Sequence, residues 1–576
     1  STHCISSAAS DVYKRQYQVR LLVSVWGFVL WSRSTFSSRM GCLDRRREQP
    51  QPPKLLAQVA VSLLWGIVPL SWMYAFMFVA LRVRQTRLLR LARRDGKPTL
   101  FGRRPRLAAL FNRRRLFVWS VVEVAFSLYY QYLVRRVQKR NPILSRETVD
   151  PIMVRVMREA ILDNLEDPAR FVSNIDAHND IPIPKASLAY DDPCAVAFRR
   201  EMSGWFMGMK PEHITRADVL DWLACFMFDK RYDEVLAHDT RDGAMQELLA
   251  EVLHTFEARR GLPFAESAPP GVERKRPMLL TLDPVHVHTR PLMLYVMVGA
   301  VNRVVEGYFR LHGVRRCRHG SLSYLLYVPR GWRPEAVWAG KAYRPILFLH
   351  GLGLGLSEYA LALRALLRPH GQPAPYPVVI PLQPWMSYEF FSPRFLRPWH
   401  HAEAPALLHG ILTRHGFDKC HVSILSHSMG TIVHAWLMRA WPKLIARSVF
   451  VDPVCFQLWE PHICYRFLYK PTESFVEFVL RYFAARELGN ANLLTRHFDW
   501  SSNVLLMHDV WKHHTPDDVR IYLAGDDTVL HAWRVLHLLK RCGLQDSVHY
   551  APALHHGELM MLPNHRVPEM IDVLIQ

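Results

Sequence analysis

The chain has 576 residues, 50% hydrophobic and 22% charged, too long for one small domain and too apolar for a disordered chain. Its nine cysteines (Cys4, Cys42, Cys194, Cys225, Cys317, Cys420, Cys455, Cys464 and Cys542) include no CxxC pair, which excludes a disulfide-dense scaffold and zinc-ribbon spacing. The formal net charge of +22 is concentrated, since residues 1–150 hold 27 Lys+Arg against 7 Asp+Glu.

Residues 1–54 read as an N-terminal segment that is partly non-native or disordered. Within it Ser7–Gln16 resembles translated adaptor sequence and is set aside. Met40-Gly41-Cys42 hints at acylation, although Arg45 stands where a myristoylation pattern wants Ser or Thr. Residues 55–140 read as a membrane-anchoring region. Leu55–Leu81 is a run of 27 residues without a charge, bounded by Lys54 and Arg82. As a helix it extends about 40 Å, enough to cross a hydrocarbon core of about 30 Å. A second apolar run, 116–134, contains Glu123, and Ser120, Glu123, Ser127 and Gln131 share one helical stripe. Such a helix either spans with its stripe against the first helix or lies in the interface with the stripe toward water.

Arg82–Arg115 carries 13 Lys/Arg against Asp95 alone, and Arg135, Arg136, Lys139 and Arg140 follow the second run. The positive-inside rule asks for both flanks in the cytosol. One span plus an interfacial helix satisfies it, with the C-terminal bulk cytosolic on an intracellular membrane such as the endoplasmic reticulum or a lipid droplet. Clusters beside apolar helices match anionic lipid headgroups, so a membrane and no nucleic acid is the expected partner.

Residues 141–320 read as a helical accessory region without a chemical motif. Pro151–Leu165 is amphipathic, Thr215 is an N-cap candidate before Val219, Leu220, Trp222, Leu223 and Phe226, and Gly261–Lys275 reads as a surface loop.

The chemistry begins near residue 321. Strand-like runs Tyr324–Val328 and Pro345–Leu349 lead to His350-Gly351-Leu352-Gly353-Leu354-Gly355. A dinucleotide fingerprint fails there, because its third glycine falls at Leu356. The strand Val422–Leu425 runs into Ser426-His427-Ser428-Met429-Gly430 and a helical stretch, Thr431–Met438. Strand, tight turn with Ser at its apex, and helix form the context of a nucleophile elbow, where small residues are needed two before and two after the nucleophile. Ser426 takes the place of the first glycine. Downstream come the strand Ser448–Val451 ending at Asp452, the strand Val519–Ala524 ending in Gly525-Asp526-Asp527-Thr528-Val529, and Val548–Ala551 before His555-His556-Gly557-Glu558.

The chain order Ser, Asp, His and the elbow make residues 321–576 resemble the α/β-hydrolase superfamily, most closely a membrane-anchored subgroup with a helical N-terminal extension. The resemblance implies an α/β-hydrolase fold with a helical lid inserted at about 455–514. It implies Ser428 as nucleophile, His556 as base and Asp527 as the acid, with the backbone N–H groups of Leu352 and Met429 binding the oxyanion. Asp526 and Asp452 are rival acids. The pairs His286/His288, His400/His401 and His513/His514 lack further ligands, and His513–Asp518 fits an HxxxxD acyltransferase string by chance, so no metal or cofactor is expected. The implied function is a membrane-anchored serine hydrolase cleaving an ester or thioester of a lipophilic acyl substrate. An acyltransferase on the same triad and a catalytically inactive membrane scaffold are the alternatives.

Overall fold

The computed structural model describes residues 54–94, 114–141, 143, 144, 146, 153, 155, 156 and 187–576, apart from 240–242, 273 and 562–565. The expectations for residues 1–53, and all of the Pro151–Leu165 helix but Met153, Arg155 and Val156, lie outside the described residues.

Two long helices open the structure, α1 (Lys54–Arg94) and α2 (Arg114–Val137). The Trp72 indole N–H donates to Ser127 Oγ at 3.0 Å, and Phe78 stacks on Phe117 with ring centroids 4.0 Å apart. As residue numbers rise along α1 they fall along α2, so the pair is an antiparallel hairpin. Both of its feet lie against the rest of the chain. Lys54 Nζ donates to the Thr472 carbonyl, and Arg496 Nε donates to the Val137 carbonyl at 3.1 Å.

Four accessory helices follow: α3 (Pro193–Trp205), α4 (Arg216–Phe228), α5 (Tyr232–His238) and α6 (Ala244–Arg260). Thr215 caps α4 as its sequence suggests, in a reciprocal box with Asp218. Among the described residues of Gly261–Lys275 there is no helix, and Ala265 pairs with Thr215 in a lone bridge. Next comes α7 (Leu292–Leu311), which decides the fate of Glu123. The two Glu123 oxygens accept the N–H groups of Leu292 and Met293 at 2.9 and 3.0 Å. The first N–H groups of a helix lack intrahelical partners and carry its positive end, so a buried carboxylate is well placed there. The polar stripe of α2 therefore meets protein, with Ser127 on α1, Glu123 on α7 and the exposed Gln131 on Thr289. Among the described residues, three helices are long and apolar enough to cross a membrane: Lys54–Leu88, Arg114–Val137 and Leu292–Arg310. The third was not foreseen.

The remainder is one eight-stranded sheet: β1 (Arg315–His319), β2 (Leu322–Tyr327), β3 (Ile346–Leu349), β4 (Val378–Pro381), β5 (Val422–His427), β6 (Ile445–Val451), β7 (Val519–Ala524) and β8 (Val548–Ala551). The spatial order is β1-β2-β4-β3-β5-β6-β7-β8. Strand β2 is antiparallel to both neighbours, and β3 to β8 are parallel. Parallel strands need helical crossovers, and these cover both faces. The helices α8 (Ala360–Leu367) and α12 (Arg566–Ile575) pack with Ile346, Phe348, Ile380 and Leu425 on one face. The helices α9 (Ala404–Arg414), α10 (Gly430–Ala440) and α11 (Ala532–Arg541) pack with Leu347, Leu349, Ile424 and Ile521 on the other. Between β6 and β7, short helical pieces from Pro461 to Trp511 fold over the C-terminal strand ends. The accessory helices dock on this insertion, where Trp205 meets Trp500 edge-on at 5.5 Å and donates its indole N–H to the Trp459 carbonyl at 3.1 Å.

Candidate active site

At the end of β5 the chain turns sharply into α10, with Ser428 at the apex in a left-handed conformation (φ 50°). A non-glycine residue at positive φ is strained and holds only where its surroundings fix it. Here the Ser428 N–H donates to the Val451 carbonyl at 3.0 Å, and the Thr431 hydroxyl donates to the Ser428 carbonyl at 2.6 Å. Gly430 is required by close approach, since a Cβ there would lie 2.2 Å from the Leu349 carbonyl oxygen. Ser426, in the usual glycine's place, is fully buried, and its hydroxyl lies 2.8 Å from Nδ1 of His434, whose Nε2 lies 3.1 Å from Ser448 Oγ. The extra hydroxyl is thus satisfied inside the core.

Ser428 Oγ lies 2.8 Å from His556 Nε2, and His556 Nδ1 lies 2.6 Å from Asp527 Oδ2. With the Nδ1 proton directed at Asp527, Nε2 is left to accept from the serine hydroxyl. The other Asp527 oxygen accepts the N–H groups of Val529 and Leu530 at 2.6 and 3.0 Å, which fixes the carboxylate. Burial would push the His556 pKa down, but the charge and hydrogen bond of Asp527, with Asp452 behind, raise it to about 9.

The rival acids occupy other places. Asp526 has a side chain that is 67% exposed, beside His555. Asp452 is fully buried, and its two oxygens accept the Ala524 and Gly557 N–H groups, each at 2.8 Å. It therefore grips the residue after His556 rather than His556 itself. Burial raises its carboxyl to about 7, opposed by His556 and by those two N–H donors. Gly557 sits at φ 81°, a conformation open to glycine.

A buried chain that sequence reasoning missed ties this acid to the glycine-rich loop. The Gly351 N–H donates to Tyr359 Oη at 2.8 Å, Tyr359 Oη lies 2.7 Å from His427 Nδ1, and His427 Nε2 stands 3.9 Å from Asp452 Oδ2. The one available signal was the histidine inside Ser-His-Ser-Met-Gly; Tyr359 has no motif around it. A Cβ at Gly353 would meet the end of the Glu358 side chain at 2.1 Å, so that carboxylate would have to move aside.

Leu352 and Met429 line one narrow cavity of about 90 Å³ together with Ser428 and His556. Its remaining wall is apolar and comes largely from the insertion, including Phe467, Leu468, Leu480 and Phe498. Among the described residues, the group of metal-ligating side chains close enough to share an ion is Asp452, Asp527 and His556; each is already engaged as above. The string His513–Asp518 has a local role, in which Asp518 accepts the Thr515 N–H and hydroxyl at 2.9 and 2.7 Å.

No protein-family model matches the sequence, and no curated protein matches it. Solved structures do show similarity. One is a membrane phospholipase A described as a bacterial virulence factor, at 12% identity over 49% of this chain and 92% of that one, with a TM-score of 0.33. Another is a carboxylesterase from Bacillus subtilis, at 10% identity over 49% and 98%, with a TM-score of 0.31. A third is a peroxisomal α/β-hydrolase from Saccharomyces cerevisiae, at 13% identity over 45% and 88%, with a TM-score of 0.31. At these identities and scores they bear on neither substrate nor residue roles. The strand order of this chain and its elbow at the end of β5 give residues 315–576 an α/β-hydrolase fold.

Proposed function

We propose that the protein is a membrane-anchored serine hydrolase acting on an ester or thioester of a lipophilic acyl group. The observation that carries this reading is the relay Ser428–His556–Asp527, with contacts of 2.8 and 2.6 Å, opening on an apolar cavity. Ser428 Oγ attacks the acyl carbon as His556 Nε2 takes its proton. Asp527 stabilises the imidazolium, and the N–H groups of Leu352 and Met429 receive the oxyanion. The imidazolium then protonates the leaving group, and water activated by His556 releases the acid from the acyl-enzyme. The apolar wall selects the acyl portion. Ligand pockets usually measure about 300–1,000 Å³, so a cavity of about 90 Å³ admits a long chain only when the covering helices part. The α1–α2 hairpin holds the enzyme at the membrane where such substrates reside.

The test is labelling of the full chain by a fluorophosphonate. Wild type should be labelled and Ser428→Ala should not, because a serine hydroxyl is inert without its base. Equal labelling would remove Ser428 from the mechanism, and failure of both would favour an inactive scaffold.

A further inference from the structure

A second and larger cavity, of about 970 Å³, lies between α7, the first strands and the loop at 388–403. It shares no lining residue with the cavity at Ser428. Its chemistry is opposite. Six arginines line it against three glutamates. Arg316 is paired with Glu306 at 2.8 Å, and Arg394 with Glu403. Among the described residues, the guanidinium groups of Arg136, Arg303 and Arg397 have no hydrogen bond or ion pair. Burial raises the pKa of Glu389, the third glutamate, while the charges of Arg316 and Arg303 hold it down, so one carboxyl group is left facing the three arginines. Three unpaired guanidinium groups around one concave space make an anion site, and their forks suit phosphate oxygens.

The surroundings favour a phosphate that belongs to a lipid. Phe391 stands at the rim of the cavity 71% exposed, and Ile143 beside it is 66% exposed. Next to the rim runs the outer face of α7, where Met293, Val296, Val304, Tyr308 and Leu311 are all exposed at helical spacing. Arg303 and Arg310 flank that stripe on one side, as on helices that lie in a membrane interface. The helix α2 also exposes apolar residues, among them Val118, Val121, Val122 and Leu128, and Arg136 comes from the last turn of α2 itself.

We propose that this cavity binds the headgroup of an anionic phospholipid of the bilayer that holds the α1–α2 hairpin. Arg136, Arg303 and Arg397 receive the phosphate, and the acyl chains run over Phe391 and the outer face of α7. A zwitterionic lipid brings its own cation into a space already rich in arginine, so it binds more weakly. This inference is independent of the hydrolase reading.

Native mass spectrometry of the full chain in maltoside detergent tests it, titrating dioctanoyl phosphatidic acid, dioctanoyl phosphatidylcholine and glycerol 3-phosphate. Phosphatidic acid should bind at least about tenfold more tightly than either of the others, and Arg303→Glu with Arg397→Glu should remove about tenfold or more of that affinity. Arg136→Glu, on a different element, should weaken binding in the same direction, which keeps the test decisive should the double variant fail to fold. Phe391→Ser should weaken phosphatidic acid while leaving glycerol 3-phosphate unchanged. Equal binding of phosphatidic acid and phosphatidylcholine, or undiminished binding in folded arginine variants, overturns the site. Glycerol 3-phosphate binding as tightly as phosphatidic acid overturns the lipid and makes the ligand a soluble phosphate ester.

Discussion

Replacing Asp452 with Asn separates the two duties that the geometry gives this residue. Each carboxylate oxygen holds one backbone N–H, from Ala524 at the end of β7 and from Gly557 next to His556. Asparagine has one acceptor oxygen, so one of these buried donors loses its partner, at a cost of about 1–3 kcal/mol. For a domain of this size each kcal/mol lowers Tm by about 2–4 °C, and a loss of several degrees is expected by scanning fluorimetry. The second effect is electrostatic. The Asp452 charge helps raise His556 to about 9, and His556 must be neutral to take the serine proton, so kcat/KM should rise with pH through that value. Removing the negative charge destabilises the imidazolium, and its proton leaves at lower pH. The acid limb for p-nitrophenyl butyrate in Asp452→Asn should therefore move to lower pH, with a plateau near the wild-type rate. A limb that stays put while Tm falls would reduce Asp452 to a backbone clamp. An enzyme dead at every pH, beside an active Asp527→Asn, would refute the assignment of Asp527.

Asp527→Asn should lose about 10⁴-fold in kcat, by analogy with triad acids in other hydrolases, whereas Asp526→Asn, whose side chain faces solvent, should stay near wild type in the same esterase assay. Gly430→Ala should abolish soluble expression or lower Tm steeply, since the new Cβ meets two backbone carbonyl oxygens, of Leu349 at 2.2 Å and His350 at 2.7 Å; a folded, active variant would show that α10 can back away from β3. Deleting residues 1–113 should leave activity on short esters in detergent. Deleting 1–140 should cost stability as well, measured by Tm, because Phe126, Tyr130, Leu133 and Val137 of α2 belong to a core with Tyr295, Tyr388 and Phe390.

The legible parts of the sequence were those where local chemistry and chain position coincide. Val519–Ala524 and Val548–Ala551 are the strands expected, and the elbow turns at Ser428 as its spacing implied. Asp527 was preferred to Asp526 because Gly-x-Asp-Thr-Val resembles the acid position of related hydrolases, and the structure puts Asp526, its neighbour, in solvent. Strand β1, Arg-Arg-Cys-Arg-His, was missed because it is an exposed edge strand whose polar residues give no period. Strand β4 was missed because Val378–Pro381 is four buried residues ending in proline. The Tyr359–His427–Asp452 chain was out of reach, since its members are 68 and 25 positions apart and meet only once the sheet is assembled. The partners of Glu123 were out of reach for a related reason. A carboxylate in an apolar helix reads as a face turned to water, whereas its partners are N–H groups that belong to no side chain.

The hairpin changes how orientation has to be reckoned. Where an antiparallel pair crosses a bilayer, its turn emerges on one face and both of its feet on the other. The stretch of sequence between the two apolar runs, Arg82–Arg115, carries 13 Lys/Arg. At the feet stand Arg135, Arg136, Lys139 and Arg140, and Arg140 is tied to Glu234 at 2.6 Å. The cytosol retains the more positive end, so two crossings would keep Arg82–Arg115 there and carry the whole hydrolase body to the opposite side, reversing the placement drawn from a single crossing. A tag at Gln576 on sealed microsomes then resists protease, and the ester hydrolysed belongs to the leaflet facing away from the cytosol. A tag digested without detergent means that the hairpin does not cross, and that its turn and its feet share one face of the membrane.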